Sequence, residues 1–301
     1  MSKSTISTFQ LFEKFPNEKS AIKYIEKRRW SDGSCCPSCN ESKRITARKN
    51  KYYRCNACKL DFTVRTGTIF ERSHIPLYKW LYAMCLLMTA RKRISSLQLA
   101  KEIGVTQKSA WFMLQRIREA CGNDMMALRG IIEIDETYIS GKEKNKHSSK
   151  KLHSGRGTVR KTPIIGVREH GKGGRTKAKP IISASGKHLG EAINAHITLG
   201  SVIHTDEHRG YSEIAGDYEH KTINHSAGEY VRGDVTTNSI ESIWALLKRG
   251  LHGVYHHASD KHLSRYINEF TFRLNEGNGA RHTMERLDSL VLATVGKQIN
   301  L

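Results

Sequence analysis

The spacing of apolar and polar positions divides the chain into a helical first part and a mixed second part. Helical spacing predicts helices over most of the first thirty residues, over 76–90 and, as a pair, over 95–120. From residue 131 onward, short apolar runs predict strands at 131–139, 164–168, 180–184, 201–206 and 221–225. Helices are predicted between and after them, at 188–197, 239–251 and 261–274. Because strands alternate with helices, the second part is predicted to be an α/β domain.

Two pairs of cysteines occur in the region of short strand-like pieces between residues 35 and 70. Cys36-Pro-Ser-Cys39 and Cys55-Asn-Ala-Cys58 are separated by fifteen residues. A Cys-x-x-Cys turn directs two sulfurs at one ion, and zinc binds four thiolates tetrahedrally. Since this small segment lacks a core of its own, the metal would supply its folding energy. The pattern predicts one structural zinc ion at Cys36, Cys39, Cys55 and Cys58. The remaining thiols are Cys35, Cys85 and Cys121.

A helix-turn-helix pattern follows at 96–117. Its first apolar face is predicted at Leu97, Ala100 and Ile103. Gly104 then supplies a tight turn, and Thr106 is placed to cap a second helix. The buried stripe of the second helix is predicted at Ala110, Met113, Leu114 and Ile117.

The start of that second helix carries the candidate DNA contacts Gln107, Lys108 and Ser109. These are the positions at which a recognition helix meets base edges in the major groove. An ordinary helical hairpin in a core would show the same apolar spacing.

The charge of the chain favours a polyanionic partner. Fifty Lys and Arg stand against 29 Asp and Glu, which gives a formal net charge of +21. Nucleic acid is the commonest large polyanion. Residues 142–180 alone contain thirteen Lys or Arg with only two acids, and Lys150 and Lys151 are predicted DNA contacts within this stretch. The alternative interpretation of this stretch is a solvated loop.

Three carboxylates of the α/β part stand out. Asp135 lies within the first predicted strand, Asp206 ends the fourth, and Glu241 opens the helix after the fifth. A charge in a half-buried strand costs free energy unless it is paired or bound to metal. Two strands and one helix that each bring one carboxylate can converge on two Mg²⁺ or Mn²⁺ ions about 4 Å apart.

Neighbouring residues leave alternatives open for these acids. Glu133 projects to the same strand face as Asp135 and is a rival ligand, whereas Glu136 points the opposite way. An Asp at a strand end is also a common turn or cap residue. Lys248 lies seven residues after Glu241, two turns along the same helix face, where a lysine suits a DNA phosphate. An ordinary amphipathic surface helix would share this pattern.

The order of these motifs resembles the zinc-ribbon insertion-sequence DDE transposases with an ISXO-type domain, bacterial relatives of the eukaryotic Merlin transposons. The resemblance covers about four fifths of the chain. It includes the cysteine pairs, the helix-turn-helix, Ile134-Asp-Glu-Thr-Tyr-Ile-Ser-Gly141, His204-Thr-Asp-Glu-His-Arg-Gly-Tyr211, residues 230–250, Tyr255-His-His and residues 266–275. Membership of this family implies a ribonuclease-H-like fold, a divalent-metal site, and cutting and joining of the element's terminal inverted repeats.

The resemblance assigns catalytic roles by position. Asp135 and Asp206 match the two aspartates of the family motif. Glu241 matches the third acid, and Lys248 matches the lysine seven residues later. Because some relatives use Asn or His as the third ligand, Asn238 is an alternative to Glu241.

Two positions depart from the family pattern. Thr237 stands where the family often has His, and Glu207 stands where it often has Gly after the second Asp. We predict a transposase that binds double-stranded DNA as a homodimer or higher homo-oligomer. The alternatives are a DNA-binding regulator without catalysis, and a ribonuclease-H-like nuclease that cuts but does not join.

Four segments are expected on this basis. They are N-terminal helices with a zinc ribbon at 1–72, a helix-turn-helix domain at 73–122, a ribonuclease-H-like catalytic domain with a basic insertion at 128–280, and a tail at 281–301. The first ten residues lack the apolar stretch of a signal peptide, and the apolar stretch at 80–90 is too short to span a bilayer. We therefore expect a cytoplasmic, nucleoid-associated protein without membrane contact.

Overall fold

The chain forms two compact units in this computed structural model, and each unit contains one sheet. The structure describes residues 5–90, 93–122, 126–139, 161–213, 216–224, 227–229, 231–255, 258–277 and 281–296. The first unit consists of Met1–Asn123 and Glu276–Leu301, and the second of Asp124–Asn275. No helix of the described residues combines the length and the apolar character that crossing a membrane requires.

The described helices and strands are numbered in chain order. The helices are α1 (Thr8–Lys14), α2 (Glu18–Arg29), α3 (Leu77–Thr89), α4 (Ser96–Ile103), α5 (Gln107–Cys121), α6 (Gly186–His196), α7 (Asn238–Gly250), α8 (Asp260–Glu276) and α9 (Thr283–Ala293). The strands are β1 (Ile45–Ala47), β2 (Tyr53–Cys55), β3 (Asp61–Phe62), β4 (Ile131–Ile139), β5 (Thr162–Glu169), β6 (Thr176–Pro180), β7 (Val202–Thr205) and β8 (Glu219–Thr222).

Helix α3 is the centre of the first unit. Nine of its thirteen residues are buried, among them Trp80, Leu81 and Met84. A helix that is apolar on all sides must be surrounded by others, and α3 packs against α2, α4, α5 and α9.

Helix α9 occupies part of the segment expected to be a tail at 281–301. Met284, Leu287 and Leu290 are buried at helical spacing, and α9 packs against α2, α3 and α5. The Nε atom of Arg28 lies 2.7 Å from Oδ1 of Asp288, which ties α9 to α2. The C-terminal helix is therefore part of the core of the first unit.

Helices α4 and α5 follow the predicted spacing with one correction. Gly104 ends α4 in the left-handed conformation, with φ 61°, and the Thr106 hydroxyl accepts from the Ser109 N–H over 3.2 Å, as expected for a cap. Leu97 was wrongly predicted to be buried, because it is 54% exposed and Leu99 is buried instead. Residues two apart lie on nearly opposite sides of a helix, so only one of these leucines can face the core.

A five-stranded mixed sheet forms the second unit, in the order β6-β5-β4-β7-β8. Strands β4, β7 and β8 are parallel, while β5 is antiparallel to both β4 and β6. Ile132, Ile134 and Ile203 pack against α6 on one face. Ile164 on the other face packs against residues of α7 and α8.

The strand predicted at 180–184 is wrong. The structure has β6 at Thr176–Pro180 instead, and Ile182 is 85% exposed. β6 lies at the edge of the sheet and carries Lys177 and Lys179, as edge strands often do, so its composition hides it. Pro180 ends the strand because it has no N–H to donate.

Candidate metal centres

The four paired cysteines form one cluster in the first unit. The Sγ atoms of Cys36, Cys39, Cys55 and Cys58 all lie within 4.8 Å of one another. Cys36 is 3.6 Å from Cys58, and Cys39 is 3.6 Å from Cys55. A tetrahedral zinc ion with bonds of about 2.3 Å requires sulfurs about 3.8 Å apart. The donor set therefore fits one zinc ion, and Cys35 does not belong to the cluster.

The backbone of the ribbon shapes the cluster and favours the thiolate form of Cys55. The residue after each Cys-x-x-Cys pair, Asn40 and Lys59, is left-handed, which turns the chain back across the cluster. N–H groups of Cys58 and Ala57 donate to the Cys55 sulfur and lower the pKa of Cys55 to about 7. Because zinc binds thiolates, this favours the form that the metal needs.

Asp135 lies on β4, and Asp206 directly follows β7, the neighbouring parallel strand of the second unit. The register pairs Glu133 of β4 with His204 of β7, and two residues further along each chain come the two aspartates. Because side chains alternate along a strand, Asp135 belongs to the sheet face that α7 covers, and the Asp206 carboxylate is near enough to repel that of Asp135. Both are half-buried.

Asp135 is held at both carboxylate oxygens. Oδ1 accepts from the backbone N–H of Glu136 over 2.8 Å, and Oδ2 accepts from the indole N–H of Trp244 over 2.9 Å. Burial, together with the charges of Glu136 and Asp206, raises the pKa of Asp135 to about 7. A divalent cation would relieve this repulsion, and carboxylate oxygens are the ligands that Mg²⁺ and Mn²⁺ prefer. The donor chemistry therefore fits such an ion.

Gly166 gives Trp244 its access to Asp135. It is the register partner of Asp135 on β5, and a Cβ built there would lie 2.4 Å from the Trp244 ring and 3.0 Å from Cδ1 of Ile240. Sequence reasoning missed both Gly166 and Trp244. The available signal was a glycine inside a strand, which often marks a close approach of another group.

Glu133, the rival ligand, makes different contacts. It is fully buried, and its Oε2 accepts from the backbone N–H groups of Ser239 and Ile240 over 3.0 and 3.1 Å. Its Oε1 lies 2.8 Å from Nδ1 of His170. A carboxylate at a helix N-terminus satisfies unpaired N–H groups and complements the helix dipole. Glu133 therefore anchors the start of α7 to β4.

Helix α7 carries the remaining predicted catalytic residues on its exposed side. Glu241, in the first turn, accepts from the Thr237 hydroxyl over 2.9 Å, and it precedes Trp244 by three residues. Lys248 follows Trp244 by four residues, and Asn238 is the exposed first residue of the helix. These spacings put Glu241 and Lys248 one turn to either side of Trp244.

The three acids do not form a closed cluster. Within the described part of the chain, the four cysteines are the only group of three or more His, Cys, Asp or Glu ligand atoms lying within 4.8 Å of one another. At least one pair among Asp135, Asp206 and Glu241 is thus farther apart than that. A pair of ions about 4 Å apart accepts a wider spread of ligands than one ion does.

The loop after β7 adds a contact that the sequence did not suggest. The hydroxyl of the buried Tyr211 donates to Oε2 of Glu136 over 2.7 Å, and the backbone N–H of His208 donates to Oδ1 of Asp206 over 3.0 Å. Burial raises the pKa of Tyr211 well above its ordinary value, so it stays a donor. As predicted, Glu136 faces away from α7.

Comparison with known proteins identifies the family. Residues 127–275 match the ISXO2-like transposase domain, and residues 16–61 match the transposase zinc-ribbon domain. The chain is 30% identical over 272 residues to the "Uncharacterized protein in transposable element ISH50" of Halobacterium salinarum (strain ATCC 700922 / JCM 11081 / NRC-1), which covers 86% of this chain and 91% of the relative. The chain belongs to the ISXO2-like family of insertion-sequence transposases.

Two Mos1 complexes are among the solved structures with some likeness to this family member. The Mos1 strand transfer complex is 12% identical, with a TM-score of 0.19, over 73% of this chain and 79% of that chain. The Mos1 transposase paired-end complex with left transposon end is 12% identical, with a TM-score of 0.19, over 65% and 77%. Likeness at this level carries no argument about the fold.

The five DNA contacts expected in this family member differ in whether the structure describes them and in how exposed they are. Gln107 and Lys108 are exposed at the start of α5, whereas Ser109 is half-buried and hydrogen-bonded to Thr106. Lys150 and Lys151 lie outside the described residues. All five remain predictions.

Proposed function

We propose that this family member is a DNA transposase that binds the terminal inverted repeats of an insertion sequence and both cuts and joins DNA strands. The observation that carries the proposal is the placement of Asp135 on β4 and Asp206 at the end of the parallel neighbour β7, near enough for the charge of Asp206 to act on Asp135, with α7 joined to Asp135 through Trp244. Two neighbouring carboxylates repel each other, which costs free energy, and a protein that only bound DNA would gain nothing in return.

The sheet of the second unit supports a ribonuclease-H-like catalytic domain. Numbered along the chain, its strands lie in the order third, second, first, fourth, fifth, and only the second runs against the others. Helices cover both faces. This order and these directions are those of ribonuclease-H-like sheets.

Asp135, Asp206 and Glu241 would hold the catalytic ions in this proposal. When bound, two Mg²⁺ or Mn²⁺ ions supply an activated oxygen nucleophile and neutralise charge on the leaving oxygen. Water would attack a phosphorus at the element's end and displace the 3′-oxygen of that strand, which leaves as a 3′-hydroxyl. This hydroxyl would then attack a phosphorus of the target DNA, forming a new phosphodiester and displacing the 3′-oxygen of the target strand. Lys248, on the exposed side of α7, would bind a phosphate and position the end.

DNA recognition would come from the first unit and from the basic insertion. Gln107, Lys108 and Ser109 are at the start of α5, where a recognition helix contacts bases. Lys150 and Lys151 would track phosphates. The zinc ion at the four cysteines would stabilise the ribbon, and the active assembly would be a homodimer or a higher homo-oligomer on DNA.

The test is a cleavage and joining assay on duplex DNA that carries the inverted repeats of the encoding element, with Mg²⁺ or Mn²⁺. Asp135→Asn, Asp206→Asn and Glu241→Gln should each lower cleavage at least a hundredfold, because each removes a metal-binding charge. All three should bind DNA as well as the wild-type chain does. Glu191→Gln and Asp217→Asn, exposed acids of the same unit, are the matched controls.

Each outcome assigns a function. If all three variants cut and join normally, the catalytic proposal fails and a DNA-binding regulator is the better account. If the wild-type chain cuts the ends but pre-cut ends are not joined to target DNA, the chain is a nuclease. If Asn238→Ala abolishes cleavage while Glu241→Gln does not, Asn238 and not Glu241 is the third metal ligand.

A further inference from the structure

The ribbon sheet of the first unit has two unlike faces. On the inner face, Tyr53 and Phe62 pack against Trp30, with ring centroids 5.2 and 5.8 Å from the Trp30 ring. The residues that alternate with these project outward. The register places Thr46 opposite Arg54, and Arg54 opposite Asp61, on that outer side.

Backbone hydrogen bonds extend this outer row at both ends of the hairpin. The N–H of Arg48 donates to the carbonyl of Tyr52 over 2.7 Å, and the N–H of Asn56 donates to the carbonyl of Arg44 over 2.8 Å. Alternation along both strands thus gives one outward surface. We call it the ribbon face, and its members are Arg44, Thr46, Arg48, Tyr52, Arg54 and Asn56.

The chemistry of the ribbon face suits phosphate. Between residues 42 and 62 the chain has seven Lys or Arg and one acid, Asp61. Asp61 pairs with Arg48 at 3.6 Å and with Arg54 at 3.3 Å, and so holds two guanidinium groups side by side. Guanidinium groups bind phosphate through two parallel N–H bonds. Tyr52 adds an aromatic ring that is 51% exposed.

The tip of the hairpin carries a cation at a cost in backbone energy. Asn50 and Lys51 are left-handed, with φ 57° and 63°. Glycine adopts this conformation freely, whereas a residue with a Cβ pays about 1 kcal/mol. Lysine at this position is unfavourable for the turn itself, and its side chain adds an exposed positive charge at the tip.

We propose that the ribbon face is a DNA-contact surface that binds the phosphate backbone of duplex DNA through Arg44, Arg48 and Arg54. The proposal rests on the proposed function in taking DNA as the partner. It adds a role for the ribbon beyond zinc binding.

The test is the salt dependence of duplex binding by the full, zinc-loaded chain. In a variant with Arg44→Gln, Arg48→Gln and Arg54→Gln, affinity should fall less steeply with salt. The magnitude of the slope of log affinity against log salt should decrease by about 2.7, because three phosphate contacts are lost. Between 50 and 200 mM salt, the wild-type chain should then lose about 40-fold more affinity than the variant. Zinc content and melting temperature verify that the variant is folded.

The matched control removes the same charge from another surface of the same unit. Lys19→Gln, Lys23→Gln and Lys27→Gln neutralise three exposed lysines of α2. The slope of this variant should differ from the wild-type slope by less than about 0.9, which is the contribution of one phosphate contact. An equal fall in both variants would mean that only net charge matters, and would overturn the proposal.

Two single substitutions sharpen the test. Lys51→Gly should relax the turn and leave the melting temperature the same or higher, yet weaken DNA binding. Asp61→Asn should tighten binding at low salt, because it removes a negative charge next to phosphate. If the wild-type chain binds no duplex at all, the proposed function itself fails. If it binds and cuts DNA while the ribbon-face variant binds with an unchanged slope, only the ribbon-face proposal is overturned.

Discussion

The indole N–H of Trp244 donates to Oδ2 of Asp135 over 2.9 Å, across the interface between helix α7 and strand β4. This bond joins the two elements that carry the first and third proposed metal ligands, because Glu241 lies one turn before Trp244 on the same helix. The first turn of the same helix donates two backbone N–H groups to the buried Glu133, which lies two residues before Asp135 on the strand. The sheet therefore fixes both the position of α7 and the orientation of the Asp135 carboxylate.

Trp244→Phe should weaken the binding of catalytic metal. The substitution keeps an aromatic ring against Gly166 but removes the donor that orients Asp135. Loss of a partner that orients a metal ligand typically costs 10- to 100-fold in metal affinity. We expect the Mg²⁺ concentration for half-maximal cleavage to rise by about this factor, and saturating Mn²⁺ to restore most of the rate. Direct Mn²⁺ titration gives a second measurement that is independent of cleavage.

The control for this prediction is Trp80→Phe in the first unit. It also removes an indole donor, here the 3.3 Å bond to the Ser73 hydroxyl, and Trp80 is fully buried. It should leave the metal requirement unchanged. An unaltered Mg²⁺ requirement in Trp244→Phe would show that the hydrogen bond does not orient a metal ligand.

Gly166→Ala should disturb the same contact from the opposite side. The new Cβ would lie 2.4 Å from the Trp244 ring, so the helix or the ring must move. Overpacking of this kind costs about 1–3 kcal/mol of stability. We expect a lower melting temperature and a loss of cleavage together with weaker metal binding. Gly190→Ala, on α6, has no atom within 4 Å of its Cβ and should not destabilise the chain.

Much of the second unit follows from the pattern of the sequence. The strand predicted at 131–139 coincides with β4, because it is rich in Ile and because Ile132 and Ile134 alternate with Glu133 and Asp135. The same alternation correctly separates Glu136 from Asp135. The pattern gives the face on which a side chain lies but not the group that it contacts there. It therefore left Glu133 and Asp135 as alternative metal ligands.

Tertiary contacts decide the rest. From the sequence, Trp244 is predicted to be an ordinary buried residue of an amphipathic helix. Only the packing of the helix against the sheet brings its indole N–H to Asp135. Edge strand β6 contains alternating lysines and therefore lacks the apolar run on which strand prediction depends. Helix α9 shows helical spacing, but a short segment at the end of a chain gives no sign that it packs against α3.

Cys39→Ser should release zinc from the ribbon. Three sulfurs remain, and the tetrahedral site needs four. Zinc per chain should fall from one toward zero by elemental analysis, and the melting temperature of the first unit should fall with it, because metal binding supplies folding energy. Cys35→Ser should change neither value, since Cys35 does not belong to the cluster. Full zinc retention in Cys39→Ser would contradict the four-cysteine site.

The last prediction concerns the alkaline stability of the first unit. Burial raises the pKa of Cys85 to about 11, against about 8.5 for an unfolded thiol. Between these values the unfolded chain loses the thiol proton while the folded chain keeps it. Folding then takes up a proton, so stability is complete below about pH 8 and falls as pH rises toward 11. Tyr82, whose pKa burial raises to about 12, extends the fall to higher pH.

Urea unfolding of the wild-type chain and of Cys85→Ala at pH 7.5, 9 and 10.5 measures this effect. A shift of this size corresponds to about 3 kcal/mol between the two limits. The variant should be less stable at pH 7.5 because of the atom it loses, yet its stability should fall less steeply with pH. Cys35→Ala, at a half-exposed position, should follow the wild-type curve. Parallel curves for the wild-type chain and Cys85→Ala would mean that Cys85 does not hold its proton through this range, and that the alkaline loss arises from other groups.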